Sequence, residues 1–206
     1  MRDFRIIGLT GPSGAGKSTV AALFAEWDIP VIDADRVYHQ LLIPPSPCLD
    51  ALTEEFSDGI LAADGTLDRV ALSALVFEDS DKGRARRTRL NEITHRFVIE
   101  KSEQLLAQYR VQGKPAAVID APLLIEAGMH RGCDFTVCVL APEDLRVRRL
   151  TARDQKSEAA ILARIHAQPT EQFYLSHTDA AVYNTGDIDA LRAQLQDVLR
   201  RAEVLM

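Results

Sequence analysis

The chain has 206 residues, 47% of them apolar and 26% charged, with 24 basic against 30 acidic side chains and a formal charge of -6. That length and apolar content suit one α/β domain with its own core and room for an inserted subdomain, and the acid excess removes the electrostatic case for a nucleic-acid partner. The apolar runs are too short to span a bilayer and the first leads into a loop motif, not a signal-peptide cleavage site, so a cytoplasmic protein without membrane contact is expected.

Ile6-Ile7-Gly8-Leu9 reads as a short buried strand, and it breaks into Gly11-Pro12-Ser13-Gly14-Ala15-Gly16-Lys17-Ser18. This fits the phosphate-loop pattern G-x-x-x-x-G-K-[ST] at every fixed position. The glycines let successive N–H groups turn inward as an anion nest, and the loop opens a helix whose N-terminus favours phosphate. In such loops the lysine, here Lys17, reaches the β- and γ-phosphates and the hydroxyl, here Ser18, ligates Mg²⁺. Val20, Leu23, Phe24 and Trp27 follow at helical spacing, which gives the motif its strand-loop-helix context.

Ile29 to Ile32 reads as the second strand, ending in Asp33-Ala34-Asp35. If the strand stays extended, both carboxylates share a face at the end of a parallel strand, where ligands of open α/β sheets sit. One carboxylate would then hold Mg²⁺ through water and the other would take a proton from an attacking hydroxyl. The competing reading is that one of them caps a helix beginning at Arg36. Residue chemistry alone does not separate Asp33 from Asp35.

From about 35 to 112 the pattern is helical, broken by Pro44, Pro45 and Pro47 and ending in a long helix over roughly Lys82 to Tyr109 that carries His95. This is a helical insertion between the second and third strands. Ala116 to Asp120 is the third strand, followed by a loop and short helix over Ala121 to Gly128, and Phe135 to Leu140 is the fourth. Pro142 opens a helix on which Arg146, Arg149 and Arg153 share a face. Asp154 to Ser157 reads as the tip of a lid, with Ser157 capping the helix from Glu158 to Ala167. Ala181 to Tyr183 is a short fifth strand ending at Asn184-Thr185-Gly186, and an amphipathic helix with Leu191, Leu195, Val198 and Leu199 closes the chain. The three cysteines, Cys48, Cys133 and Cys138, lack metal-site spacing and read as small apolar residues of a reducing compartment.

The segments GLTGPSGAGKSTVA, VIDAD, DGTLDR, LNEITH, IDAPLLIEAG, RRLTARD, RIHAQ and DAAVYNTG, in that order, resemble bacterial dephospho-coenzyme A kinases over nearly the whole chain. The resemblance implies a phosphate-loop kinase fold, a five-stranded parallel sheet flanked by helices. Residues 1–34, 114–145 and 180–206 would form the core, 35–113 a helical coenzyme A subdomain and 146–179 a lid. It implies transfer of the ATP γ-phosphoryl group to the ribose 3′-hydroxyl of dephospho-coenzyme A, with Mg²⁺, by a monomer (a trimer being the alternative).

It also assigns roles residue by residue. Asp35 would be the base and Asp33 its magnesium-side neighbour through water, with Ser18 the direct ligand. Lys17, Arg149 and Arg153 would join Asp35 in catalysis. Gly11, Gly14, Ala15, Gly16, Lys17, Ser18, Thr19, Asn184 and Gly186 would hold ATP. Thr10, Asp35, His95, Asp120, Pro122, Leu123, Leu124 and Glu126 would meet the acceptor. The chain departs from the pattern at Pro12, Ser13, Arg96 and Thr178. Shikimate and gluconate kinases are the rival enzymes, disfavoured by the long insertion. A GTP switch is disfavoured because neither N-K-x-D nor D-x-x-G occurs, and a module without turnover because the lysine, carboxylates and arginines are retained.

Overall fold

The computed structural model describes residues 4–205, and the chain divides into two compact units, Met1–Ile32 with Leu106–Met206, and Asp33–Leu105. The first unit is built on a five-stranded parallel sheet in the order β2-β3-β1-β4-β5. The strands are β1 (Arg5–Thr10), β2 (Val31–Asp33), β3 (Ala116–Asp120), β4 (Phe135–Leu140) and β5 (Ala180–Tyr183). The register sets Leu9 beside Asp120 on one side and beside Val137 on the other, so the loops after β1 and β3 leave the sheet side by side.

These strands read as unbroken apolar runs because both faces are covered. Val137 and Val139 belong to a core shared with Ile7, Leu9, Val20, Phe24, Leu195 and Leu199. That core packs α1 (Lys17–Glu26) and α9 (Ile188–Arg201) against the sheet. The alternate residues Cys138 and Leu140 turn to the other face, where they meet Ile125 and Tyr174. Tyr174 sits on α8 (Glu171–His177), a helix that the sequence pattern did not announce. It is only two turns long, too short for a helical period to stand out.

Helices α6 (Glu143–Asp154) and α7 (Glu158–His166) pack on each other through a small core of Leu150, Ile161 and Ile165. Gln155 ends α6 in the left-handed region at φ 52°, and Ser157 caps α7, so the expected lid tip is a tight, exposed turn. The segment expected as a loop and short helix is instead a series of turns over 121–128 leading to a 3₁₀ turn, Met129–Gly132.

The second unit holds α2 (Ala34–Leu41), α3 (Pro47–Phe56), α4 (Arg69–Val76) and most of α5 (Asp81–Val111). Leu42, Cys48, Leu52, Ile60, Leu72, Val76 and Ile93 form its own core. Ser46 caps α3, which has proline in its first turn, and Asp68 caps α4 by accepting from the N–H groups of Val70 and Ala71. An isolated antiparallel bridge between Leu61 and Leu67 is the one piece of strand pairing described there. Among the described residues, no helix is long and apolar enough to cross a membrane.

Candidate active site

The loop after β1 is shaped by what its glycines exclude. Gly11 has φ 142° and a Cβ there would lie 2.3 Å from the Val139 carbonyl oxygen; Gly16 has φ 95° and its Cβ would lie 2.1 Å from Asn184 Nδ2. Neither site admits a side chain, and each brings the loop against the end of a neighbouring strand. Gly16 is the N-cap of α1, which has no side-chain cap and no acidic residue in its first turn. By contrast α2, α3, α4, α7, α8 and α9 are all capped by a side chain. The N-terminal amides of α1 are therefore kept for an anion.

The loop's own amides alternate. Ser13 donates its N–H to Gln168 Oε1 at 3.0 Å and Ala15 donates to the Pro12 carbonyl at 3.2 Å. The N–H groups of Gly14 and Gly16, between and after them, have no hydrogen-bond partner among the described residues. Lys17 lies over the loop and donates from Nζ to the Gly11 carbonyl at 3.2 Å, and the Ser18 and Thr19 side chains are exposed at the start of α1.

The three arginines expected on one face of α6 have separate partners. Arg149 donates to four acceptors: the carbonyls of Gly14 and Ala15, both at 3.3 Å, and the carbonyl and Oδ1 of Asn184 at 3.2 and 3.1 Å. Asn184, 5% exposed, completes the triangle by donating from Nδ2 to Ala15 O at 3.0 Å. Arg146 donates from Nε to the Ser13 carbonyl at 2.9 Å. Arg153 instead forks onto Asp154 at 2.6 and 3.2 Å and is exposed. Its hydrogen bond holds the Asp154 carboxyl below the usual carboxylate range, and Arg164 supports the same carboxylate at 2.9 Å. The structure thus gathers Arg146, Arg149 and Asn184 at the phosphate loop, while Arg153 belongs to an ion-pair cluster at the turn between α6 and α7.

On the acceptor side, Thr10 and Asp120 end adjacent strands, and the Thr10 hydroxyl donates to the Pro122 carbonyl at 3.3 Å. Leu123 is 57% exposed, but Leu124 is wholly buried. A Cβ on Gly8 would stand 2.7 Å from Leu124 Cδ2, so the Leu124 side chain packs in the core. Glu126 is exposed and Gly186 sits in a turn at φ 111°.

Asp33, Asp35 and His95 lie in the second unit. Asp33 caps α2, accepting the Arg36 N–H at 2.9 Å. Because α2 already begins at Ala34, Asp35 is in its first turn and the expected shared strand face does not form. The cap explains why: a favourable N-cap carboxylate pulls the chain into a helix as soon as the strand ends. Both carboxylates remain exposed, and His95 is half-buried on α5. Sequence reasoning gave Gln168 no role. A single glutamine after a helix has no periodic or spacing signal, and only its place in the segment RIHAQ set it apart.

A family model described as dephospho-CoA kinase (CoaE) matches residues 5–190. The dephospho-CoA kinase of Symbiobacterium thermophilum is 39% identical over 198 residues, covering 96% of this chain and 81% of its own. That of Corynebacterium efficiens is 39% identical over 199 residues, covering 97% of this chain and 96% of its own. The crystal structure of TT1252 from Thermus thermophilus superposes with a TM-score of 0.78 at 34% identity, covering 97% of this chain and 98% of that one.

Proposed function

The chain belongs to the dephospho-CoA kinase family, and from that premise we propose how its residues carry the reaction. The enzyme is a kinase that uses ATP to phosphorylate dephospho-CoA, the final step of coenzyme A synthesis. The ribose 3′-hydroxyl oxygen forms a bond to the γ-phosphorus, the bond from that phosphorus to the β-γ bridging oxygen breaks, and ADP leaves with the electron pair. Little covalent work falls to the protein, so positioning and charge stabilisation dominate.

The observation that carries the nucleotide half is the amide alternation. The N–H groups of Gly14 and Gly16, continued by the uncapped start of α1, are the donors that would receive the β-phosphate, and Lys17 would swing from Gly11 onto the outer phosphates. Arg149 holds the loop in this shape while placing a fixed positive charge beside it. Asp35 is the base that takes the 3′-hydroxyl proton; with Asp33 engaged by the Arg36 N–H, Asp35 is the carboxylate free of capping duty. The resemblance supports this assignment, and Thr10, Asp120, His95 and the backbone of 122–126 as the acceptor's neighbours.

The oxygen donor at Ser18, exposed at the head of α1, suits Mg²⁺, which takes one or two protein oxygens and fills its shell with phosphate oxygens and water. Bound there, the ion would neutralise charge on the phosphates; the resemblance gives Asp33 as its partner through water. The test is ADP release with ATP and Mg²⁺ in the presence of dephospho-CoA, shikimate, gluconate or no acceptor, with the product weighed for one added phosphate. Turnover with dephospho-CoA alone is expected. Equal turnover with another acceptor would refute the substrate assignment.

A further inference from the structure

Ser13 is a departure from the family pattern, and every polar atom it owns is engaged by two side chains from beyond residue 140. Its N–H donates to Gln168 Oε1 at 3.0 Å and its hydroxyl accepts from Gln168 Nε2 at 3.1 Å. Its carbonyl accepts from Arg146 Nε at 2.9 Å, and Arg146 Nη2 donates to Gln168 Oε1 at 3.2 Å. The orientation of the Gln168 amide is forced. Two donors converge on one end of it, and turning it over would set an NH₂ against an N–H and a guanidinium.

Gln168 follows α7, whose last residue is His166, and Arg146 lies in the first turns of α6. The two residues therefore bracket the α6-α7 pair, and each ends on the same residue of the phosphate loop. Occupying the N–H of Ser13 also fixes which amides remain: with Ser13 held outward and Ala15 bonded to Pro12, Gly14 and Gly16 supply the donors. An amide with both ends matched sets this register without placing a charge near the triphosphate, which a carboxylate would do.

We propose that Gln168 is a positioning residue for the nucleotide: it acts through Ser13, together with Arg146, to hold the phosphate loop in the register that binds the ATP phosphates. The inference rests on the loop being the ATP site. It does not depend on which acceptor is phosphorylated.

The test is the dissociation constant of Mg-ATP, by calorimetry, for the wild type, Gln168→Met, Gln168→Ala, Arg146→Lys and the double variant Arg146→Lys/Gln168→Met. Methionine keeps the volume and removes all three hydrogen bonds. Both Gln168 variants are expected to weaken ATP about tenfold and to raise KM for ATP in parallel, leaving KM for dephospho-CoA within about twofold. The melting temperature without ATP should move little, because Gln168 is only half-buried. The Arg146 and Gln168 effects should be less than additive, since both work through Ser13. ATP affinity unchanged within twofold, strictly additive effects, or equal rises in KM for both substrates would each overturn the proposal. Should Gln168→Ala fail to fold, Gln168→Met decides. Should the wild type turn over no dephospho-CoA, the ATP constants still decide, so the two readings fail separately.

Discussion

Arg149 separates two accounts of a cationic residue beside a phosphate loop. If it contributes only charge, lysine will replace it. If it braces the loop, lysine will not, because the brace is planar and two-sided. One edge of the guanidinium meets Gly14 O and Ala15 O and the other meets Asn184 O and Oδ1, at 3.1 to 3.3 Å. An ammonium on a flexible stem reaches one of these pairs and abandons the other. Hydrogen bonds from a charged donor are worth about 1.5–3 kcal/mol net, and bonds this long and part-buried belong at or below the low end. Losing two of the four removes about 2–3 kcal/mol of loop ordering, on the order of 10²-fold in kcat/KM for ATP. Arg149→Ala, losing all four and the charge, should fall on the order of 10²-fold further. The assay is initial-rate ADP release with ATP varied at saturating dephospho-CoA, with circular dichroism to confirm the fold. Arg149→Lys within tenfold of wild type would refute the brace and leave charge as the whole of its role.

Four further outcomes follow from the same structure. Gly16→Ala should cost about 1–2 kcal/mol for the left-handed backbone and displace Asn184, lowering the melting temperature by several degrees and abolishing ATP binding in calorimetry. Asp35→Asn should lower kcat by about 10²–10⁴-fold and leave the ATP dissociation constant within twofold; an unchanged kcat would remove Asp35 as the base. Burial pushes the thiols up, Cys48 to about 11 and Cys133 to about 12, and raises Cys138 as well. At pH 8 the native protein should therefore react negligibly with a thiolate-specific disulfide reagent, while the denatured chain releases the signal of three thiols. For the same reason stability should decline as pH climbs above the ordinary thiol value toward 11, because the unfolded chain loses those protons first.

Where the sequence was informative, the physics was local. The phosphate loop, the five strands and the amphipathic α9 each have a signal contained within a dozen residues: glycines at fixed spacing, a short apolar run, a helical stripe. The helical insertion was legible because Pro44, Pro45 and Pro47 punctuate it and long periodic stretches follow. The sequence says less where a single contact decides between two local states. Asp33 and Asp35 share a strand face only if the strand continues past Asp33, and the cap that Asp33 makes by accepting the Arg36 N–H ends it there. Arg146, Arg149 and Arg153 share a helix face, yet Asp154, one residue beyond, claims Arg153. Leu124 looks like a neighbour of Leu123, but the absence of a side chain at Gly8 opens a space in the core that it fills. In each case the deciding partner is a carboxylate or a missing Cβ whose position becomes visible only once the chain is folded.

Proline at position 12 shows the same dependence in a form that bears on function. Read from the sequence, Pro12 removes an amide donor from a loop that works through amide donors. Read from the structure, the loop does not draw on every amide. Ser13 and Ala15 spend theirs on Gln168 and on the Pro12 carbonyl, and the carbonyl of a proline accepts as well as any other. The donors proposed for phosphate are those of Gly14, Gly16 and the head of α1, where a proline at position 12 removes no N–H. Its ring meanwhile restricts the chain before binding, where a glycine would leave more freedom to lose when the phosphates order the loop. The tolerance for proline and the glutamine clamp on Ser13 then have one cause: residues 12 and 13 frame the nest without lining it.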